Sequence, residues 1–194
     1  MIFKRITLSD LIDFSGEETA QKVLETFSCP QNEEIQNFIR NSAVNFAKRK
    51  ITMTHLLFSE ENELLGFFSL THKPLIVKDE NFSSKLRRIF FTSSSYNYIT
   101  QSFESSGFLL AQFSKNFTDG LNKLISGNEM MNEVLNVLKP VQHEIGGRIV
   151  FLECDKNKEK LSDFYTNDNN RFVKFGERID EKDNTTYSQL LRVL

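Results

Sequence analysis

Two short stretches of this chain carry side chains whose type and spacing could do chemistry. The first is Leu124-Ile125-Ser126-Gly127-Asn128-Glu129, where Ser126 and Glu129 have the S-x-x-E spacing of a capping box just ahead of an apolar run. A helix beginning there turns its first backbone N–H groups and the positive end of its dipole outward, which suits phosphate oxygens, and Gly127 permits close approach. The plainer reading is an ordinary helix start. The two readings compete in part, because a donor satisfied by Ser126 is not offered to a ligand. The second stretch is Leu161, Phe164 and Tyr165, which share one face of a short helix. On composition alone Tyr165 is an amphipathic tyrosine at the edge of the core, with its phenol as a polar handle.

Other reactive side chains are not selected by spacing. Glu104, Glu153 and His143 are general bases in type, but none stands in a pattern that singles it out. The three histidines, His55, His72 and His143, occur singly, and Cys29 and Cys154 lack the spacing of a metal site, so no metal is expected. Cys154 ends a strand and reads as a small buried residue, with a thiol nucleophile as the weaker alternative. Two isolated cysteines and an N-terminus without an apolar signal run point to a reducing cytoplasm.

These residues need a frame. Ile2 to Leu8 reads as a strand, and Glu17 to Phe27 as a helix burying Ala20, Val23, Leu24 and Phe27. From Pro30, Ile35, Phe38, Ile39, Ala43 and Phe46 recur at helical spacing up to Lys48-Arg49-Lys50, a cluster suited to a helix C-terminus. Ile51 to Ser59 and Glu63 to Leu70 form a hairpin around Glu60-Glu61-Asn62. The mixed stretch from Lys78 to Ser106 reads as an excursion over the sheet. Gly107 to Phe113 reads as a buried central strand, and Phe117 to Leu124 as loop. A long helix follows from Gly127, which Pro140 should kink or end near Leu138 and Gly146-Gly147 should stop. Arg148 to Cys154 is the clearest strand, Asn157 to Tyr165 a short helix, and Phe172 to Ile179 with Thr186 to Val193 a closing hairpin across Asp180 to Thr185. The order is mixed α/β, in one domain over residues 1–194.

Composition narrows the partners. With 24 basic and 26 acidic residues the formal charge is −2, so nothing global calls for nucleic acid or a membrane surface. No apolar stretch approaches the roughly 20 residues that cross a bilayer. Nineteen Phe and no Trp place aromatic burial on a ring without a polar handle, which reads first as core filling.

From about Phe27 to the C-terminus the sequence resembles the GNAT superfamily of acyl-CoA N-acetyltransferases. Cys29 through Phe46, Thr52 to Phe58 and Leu64 to Leu70 resemble the helix and hairpin that open many bacterial members, and Gly107 to Gln112 resembles their central strand. Ile125-Ser126-Gly127 with Met130-Met131 occupies the place of the phosphate-cradling turn and its helix. Gly146 to Cys154 with Phe164-Tyr165 and Phe172 is similar to the closing strand, helix and Phe-Tyr signature. The family pattern Q/R-x-x-G-x-G/A falls on Asn122 to Gly127, where only Gly127 matches and Ile125 replaces a glycine. The family's Asn, seven residues before the Tyr, would fall on Lys158, one position past Asn157.

The resemblance implies a central twisted mixed sheet of about six to seven strands flanked by helices, with acetyl-CoA as co-substrate. It implies direct attack of a neutral amine on the thioester, with the backbone of Leu110, Ala111, Gln112 and Phe113 against the acetyl group. Asn122, Lys123, Ile125, Ser126, Gly127, Asn128 and Asn157 would hold the cofactor. Tyr165 would protonate the departing thiolate. A phenol of pKa about 10 donates to a thiolate whose acid is near 8.5 only with local help, so positioning does most of the work. The acceptor is expected to be a small-molecule or peptide amine. A nucleic-acid partner is disfavoured, no membrane is involved, and a homodimer is left open. The alternatives are an interaction protein of GNAT shape without turnover, motivated by the lost glycines, and a toxin-type acetyltransferase of aminoacylated tRNA.

Overall fold

The computed structural model describes residues 3–182 and 184–194, Asn81 and Lys85 by backbone alone. Ile2 of the expected first strand and Asp183 of the last turn lie outside the described residues. Among the described residues eight strands form one sheet in the order β1-β2-β3-β5-β6-β8-β7, with the short β4 paired to β5. The expected six to seven strands are therefore joined by β4. Helices flank the sheet, and the chain divides into two compact units, Met1–Thr71 with Leu110–Leu135, and His72–Leu109 with Asn136–Leu194.

In the first unit β1 (Lys4–Thr7) pairs antiparallel with β2 (Met53–Phe58), which pairs antiparallel with β3 (Leu64–Lys78). The first strand stops one residue earlier than expected, because Thr7 accepts the N–H of Asp10 through its hydroxyl at 3.0 Å and caps α1 (Leu8–Ser15). That helix was not expected. Gly16, with φ of 83°, separates it from α2 (Glu17–Glu25). The next helix starts at Asn32, whose side chain accepts the N–H of Ile35 at 3.1 Å, and not at Pro30. It runs as α3 (Glu33–Asn37), a π turn (Phe38–Ser42) and α4 (Ala43–Lys48). At the π turn the side chain of Gln21 donates to the Arg40 carbonyl at 2.6 Å, and Arg40 Nε donates to the Phe27 carbonyl at 2.8 Å. Leu8, Leu24, Phe27, Ile39, Leu56 and Phe67 centre the core, with the Phe27 and Phe67 rings edge to face at 5.0 Å.

In the second unit the excursion is structured. It holds a 3-10 turn (Asp79–Asn81), α5 (Ser84–Ser93), whose Leu86 and Phe90 face inward, β4 (Ser95–Asn97) and the start of β5 (Ser102–Lys115). Phe82, Phe90 and Phe103 pack against Leu75, Val77, Ile149, Phe175 and Leu191. Parallel pairing joins β5 to β6 (Ile149–Asp155) at Phe108 with Val150 and Leu109 with Phe151. Antiparallel ladders join β6 to β8 (Thr186–Val193) and β8 to β7 (Val173–Ile179). A Cβ on Gly147 (φ 98°) would stand 2.8 Å from the Phe108 ring, which explains the glycine ahead of β6.

One long element departs from expectation. Helix α6 (Gly127–Ile145) runs through Pro140 and ends at Gly146-Gly147. Met130, Met131, Val134 and Leu138 are buried, and packing of such a face outweighs one missing N–H.

Candidate functional site

The first unit builds a strand, a tied-back turn and a helix start from one continuous segment. Along β5, Leu110 is buried and Ala111, Gln112 and Phe113 are half-buried. The strand exit is pinned by Asn116, which is fully buried. Its side-chain oxygen accepts the N–H of Ser28 at 2.9 Å and of Thr118 at 3.1 Å, and its amide donates to the Leu64 carbonyl at 2.8 Å. Beyond it the 3-10 segment Thr118–Lys123 turns through Asp119 and Gly120, both with left-handed φ. Lys115 Nζ reaches back from the strand to the Asn122 carbonyl at 2.7 Å. Gly66 makes room for this corner, since a Cβ there would stand 2.8 Å from the Ser114 carbonyl oxygen and 3.0 Å from Met130 Cε. Neither Asn116 nor Lys115 was anticipated as part of this frame.

At the helix start the capping box is closed. Ser126 N donates to Glu129 Oε2 at 2.8 Å, and Glu129 N donates to Ser126 Oγ at 3.1 Å. The Ser126 backbone N–H, and after it the Ser126 hydroxyl, hold the Glu129 carboxyl below the usual carboxylate range. Lys123, Ser126 and Asn128 are exposed and Gly127 is half-buried, so the turn faces solvent. Ile125 is 2 % exposed and turns its side chain inward.

In the second unit α7 (Glu159–Thr166) carries Tyr165, 5 % exposed, with its ring edge-on to Phe164 at 5.1 Å and Phe172 at 5.7 Å. Its carbonyl accepts the N–H of Phe172 at 3.0 Å. The end of the helix is braced by Asn170, which is buried and donates to the Phe164 carbonyl at 2.6 Å, while Arg192 donates to the Asn170 carbonyl at 2.8 Å. Burial pushes the Tyr165 phenol far above its ordinary value, and Cys154 adds to the effect. The Tyr165 hydroxyl therefore keeps its proton through the neutral range. Burial, and secondarily Asp155, also raises the Cys154 thiol, which disfavours the thiolate that a nucleophile requires. Asn157 lies exposed in the turn before α7, its N–H donating to Asp155 Oδ1 at 2.9 Å.

The three candidate bases, Glu104, His143 and Glu153, all belong to the second unit. Glu153 is engaged by Arg178 Nε at 2.9 Å and Gln189 at 2.8 Å, Glu104 accepts from Asn97 at 2.8 Å, and His143 is exposed. The most perturbed histidine is His55 in the first unit. Burial, then the Arg5 guanidinium, lowers it to about 4 against an opposing pull from Asp10. Its ring stacks on Phe68 at 4.8 Å and meets Arg5 at 3.3 Å, and Arg5 is paired with Glu133 at 3.0 Å. Among the described residues no group of three or more His, Cys, Asp or Glu could hold a metal, and no helix is long and apolar enough to cross a membrane.

No family model and no curated protein matches this sequence. Solved structures do. A Tyr-to-Phe mutant of the AtaT toxin superposes with a TM-score of 0.66 at 17 % identity, covering 98 % of this chain and 89 % of that one. A Tyr-to-Phe mutant of KacT gives 0.66 at 14 % identity over 100 % and 95 %. AtaT complexed with acetyl-methionyl-tRNAfMet gives 0.60 at 17 % identity over 96 % and 94 %. The chain therefore has the GNAT fold, as the resemblance implied. AtaT is a toxin that has also been solved with its antitoxin AtaR and acetyl-CoA, and KacTA has been solved with DNA. The expectation that disfavoured nucleic acid finds no support among these structures.

Proposed function

We propose that this chain is an acetyl-CoA-dependent N-acetyltransferase whose acceptor is the amine of an aminoacylated tRNA. The observation that carries the reading is a fold match over 96 to 100 % of the chain with the AtaT toxin and KacT, AtaT having been solved in complex with acetyl-methionyl-tRNAfMet. In this reading the backbone of Leu110 to Phe113 receives the acetyl group, and Asn122, Lys123, Ile125, Ser126, Gly127 and Asn128 receive the pyrophosphate. Asn157 is a further cofactor contact. The amine attacks the thioester carbonyl directly, the C–S bond breaks, Tyr165 gives its proton to the departing thiolate, and the proton that nitrogen sheds on becoming an amide passes to solvent, from which the phenol is restored. A high phenol pKa makes that transfer an assistance to a reaction driven mainly by positioning. A cytoplasmic setting, in which two unpaired cysteines persist as thiols, and a single acetyltransferase domain over residues 1–194 belong to the same proposal.

A small-molecule or peptide amine is the second reading, favoured by the near-neutral charge of −2, since tRNA binding draws on many Lys and Arg contacts to phosphate. The experiment compares acetyl transfer from labelled acetyl-CoA to bulk aminoacylated tRNA with transfer to pooled small amines and peptides. Label on tRNA that declines as salt rises is the expected result. Label confined to the small pool moves the acceptor to the second reading, and label on neither, with no acetyl-CoA binding, leaves an interaction protein of GNAT shape.

A further inference from the structure

We propose that Arg171 and Arg192 form a phosphate-binding pair at the end of α7, which takes a backbone phosphate of the acceptor RNA. The inference rests on the reading above for the identity of the acceptor, and on the geometry of the second unit for the pair itself. Both guanidinium groups converge on the turn that closes α7, residues 167–171. Arg171 Nε donates to the Asp168 carbonyl at 2.8 Å, and Arg192 Nη1 donates to the Asn169 and Asn170 carbonyls at 3.4 and 2.8 Å. Carbonyls of three successive residues thus hold two cations side by side. Asp168, the one acid of the turn, offers its carbonyl, and among the described residues neither guanidinium has a carboxylate within ion-pair distance. Arg178 of the same unit shows the usual arrangement, paired with Glu153 at 2.9 Å and Asp180 at 3.2 Å.

Two like charges therefore share a place with nothing opposite to neutralise them. Burial, then the charge of Arg171, lowers the Arg192 guanidinium below its usual range. The bonds to carbonyls engage Nε of Arg171 and Nη1 of Arg192, so both Nη groups of Arg171, with Nε and Nη2 of Arg192, remain as donors for phosphate oxygens. Arg171 is exposed and Arg192 half-buried, which lets solvent-borne ligands reach the first and gives the second a fixed position. Arg171 also has a φ of 55°, a left-handed backbone that glycine or asparagine adopts at lower cost, yet the chain places a cation there. The pair sits on the element that bears the proton donor. Asn170, whose carbonyl Arg192 takes, donates to the Phe164 carbonyl, and Phe172, next to Arg171, packs on the Tyr165 ring at 5.7 Å. An aminoacylated RNA carries its amine one ribose away from a phosphodiester, so a phosphate is due near the group that serves the amine's reaction.

The test follows binding of bulk tRNA by fluorescence anisotropy over a salt series, a readout that needs no turnover, with inorganic pyrophosphate as a small-phosphate probe and melting temperature alongside. Asparagine tolerates the left-handed backbone, so Arg171→Asn should keep the wild-type melting temperature. It should weaken tRNA binding by about three- to tenfold and lower the slope of log Kd against log salt by about one. Arg192→Gln should weaken binding in the same way and also melt lower, because the brace on Asn170 is lost. An arginine that only braces the turn moves the melting temperature and not the salt slope. Arg171→Asn with the wild-type Kd and slope overturns the inference, as does wild-type protein that binds neither tRNA nor pyrophosphate. Arginine-dependent binding of pyrophosphate alone keeps the pair and moves its phosphate from RNA to a small molecule. Arginine-dependent tRNA binding by a protein that transfers no acetyl group keeps the pair and removes the acetyltransferase reading.

Discussion

The turn at Ser126 and the helix at Tyr165 are made of different materials. The first is backbone N–H groups at a solvent-facing helix start, closed by two short-range hydrogen bonds and held from behind by Asn116 and Lys115. The second is a single hydroxyl on a ring sealed between Phe164 and Phe172, its titration displaced by burial. An exposed turn can be altered with small cost to the fold, so its variants report on binding. A buried ring contributes to stability through its carbon skeleton, so only removal of the oxygen separates chemistry from packing.

The largest effect expected from breaking the turn comes from Gly127→Glu, which places a side chain and a negative charge where the proposed function puts the cofactor phosphate. Acetyl-CoA affinity should fall by about a hundredfold or more in calorimetry, equivalent to about 2.7 kcal/mol. Unchanged affinity removes Gly127 from the cofactor site. The comparison sharpens with the buried titratable group of the first unit, His55, which is 5 % exposed. Its folded-state pKa of about 4 lies below the ordinary 6.5, so the unfolded chain takes up the proton first as pH falls. Stability should be intact above pH 6.5 and decline as pH drops toward 4, by on the order of 3 kcal/mol in total. Urea unfolding across that window should show the slope, and His55→Gln should flatten it. An identical slope in the variant assigns the loss to other groups. The smallest effect is that of Ser126→Ala, which opens the capping box at a cost of about 1 kcal/mol, visible as a lowered melting temperature.

Local pattern made much of the fold legible. The strand at β6 and the closing β7–β8 hairpin follow from alternation and a polar turn, and the capping box follows from the spacing of Ser126 and Glu129. Helix α1 did not, because Leu8, Leu11 and Ile12 prolong the apolar signal of the strand and the boundary depends on a single cap at Thr7. The π turn left the apolar spacing intact while Gln21 took a carbonyl of the helix from another element. Pro140 misled because burial of the α6 face overrides a local rule. In the candidate site, Asn116 was illegible for the same reason: its partners Ser28 and Leu64 are 88 and 52 residues away, and nothing in the local sequence marks it. The perturbation of Tyr165 was half legible, since Phe164 and Leu161 announced an apolar face but the Asn170 and Arg192 braces did not.

The most direct test of the account is acetyl transfer from labelled acetyl-CoA by wild type and Tyr165→Phe, with acetyl-CoA affinity measured for both. Wild type is expected to label an amine acceptor, and Tyr165→Phe to keep its affinity within about twofold while losing turnover on the order of a hundredfold. Wild-type protein that binds no acetyl-CoA and labels neither tRNA nor small amines, or a Tyr165→Phe variant with undiminished turnover, would contradict it.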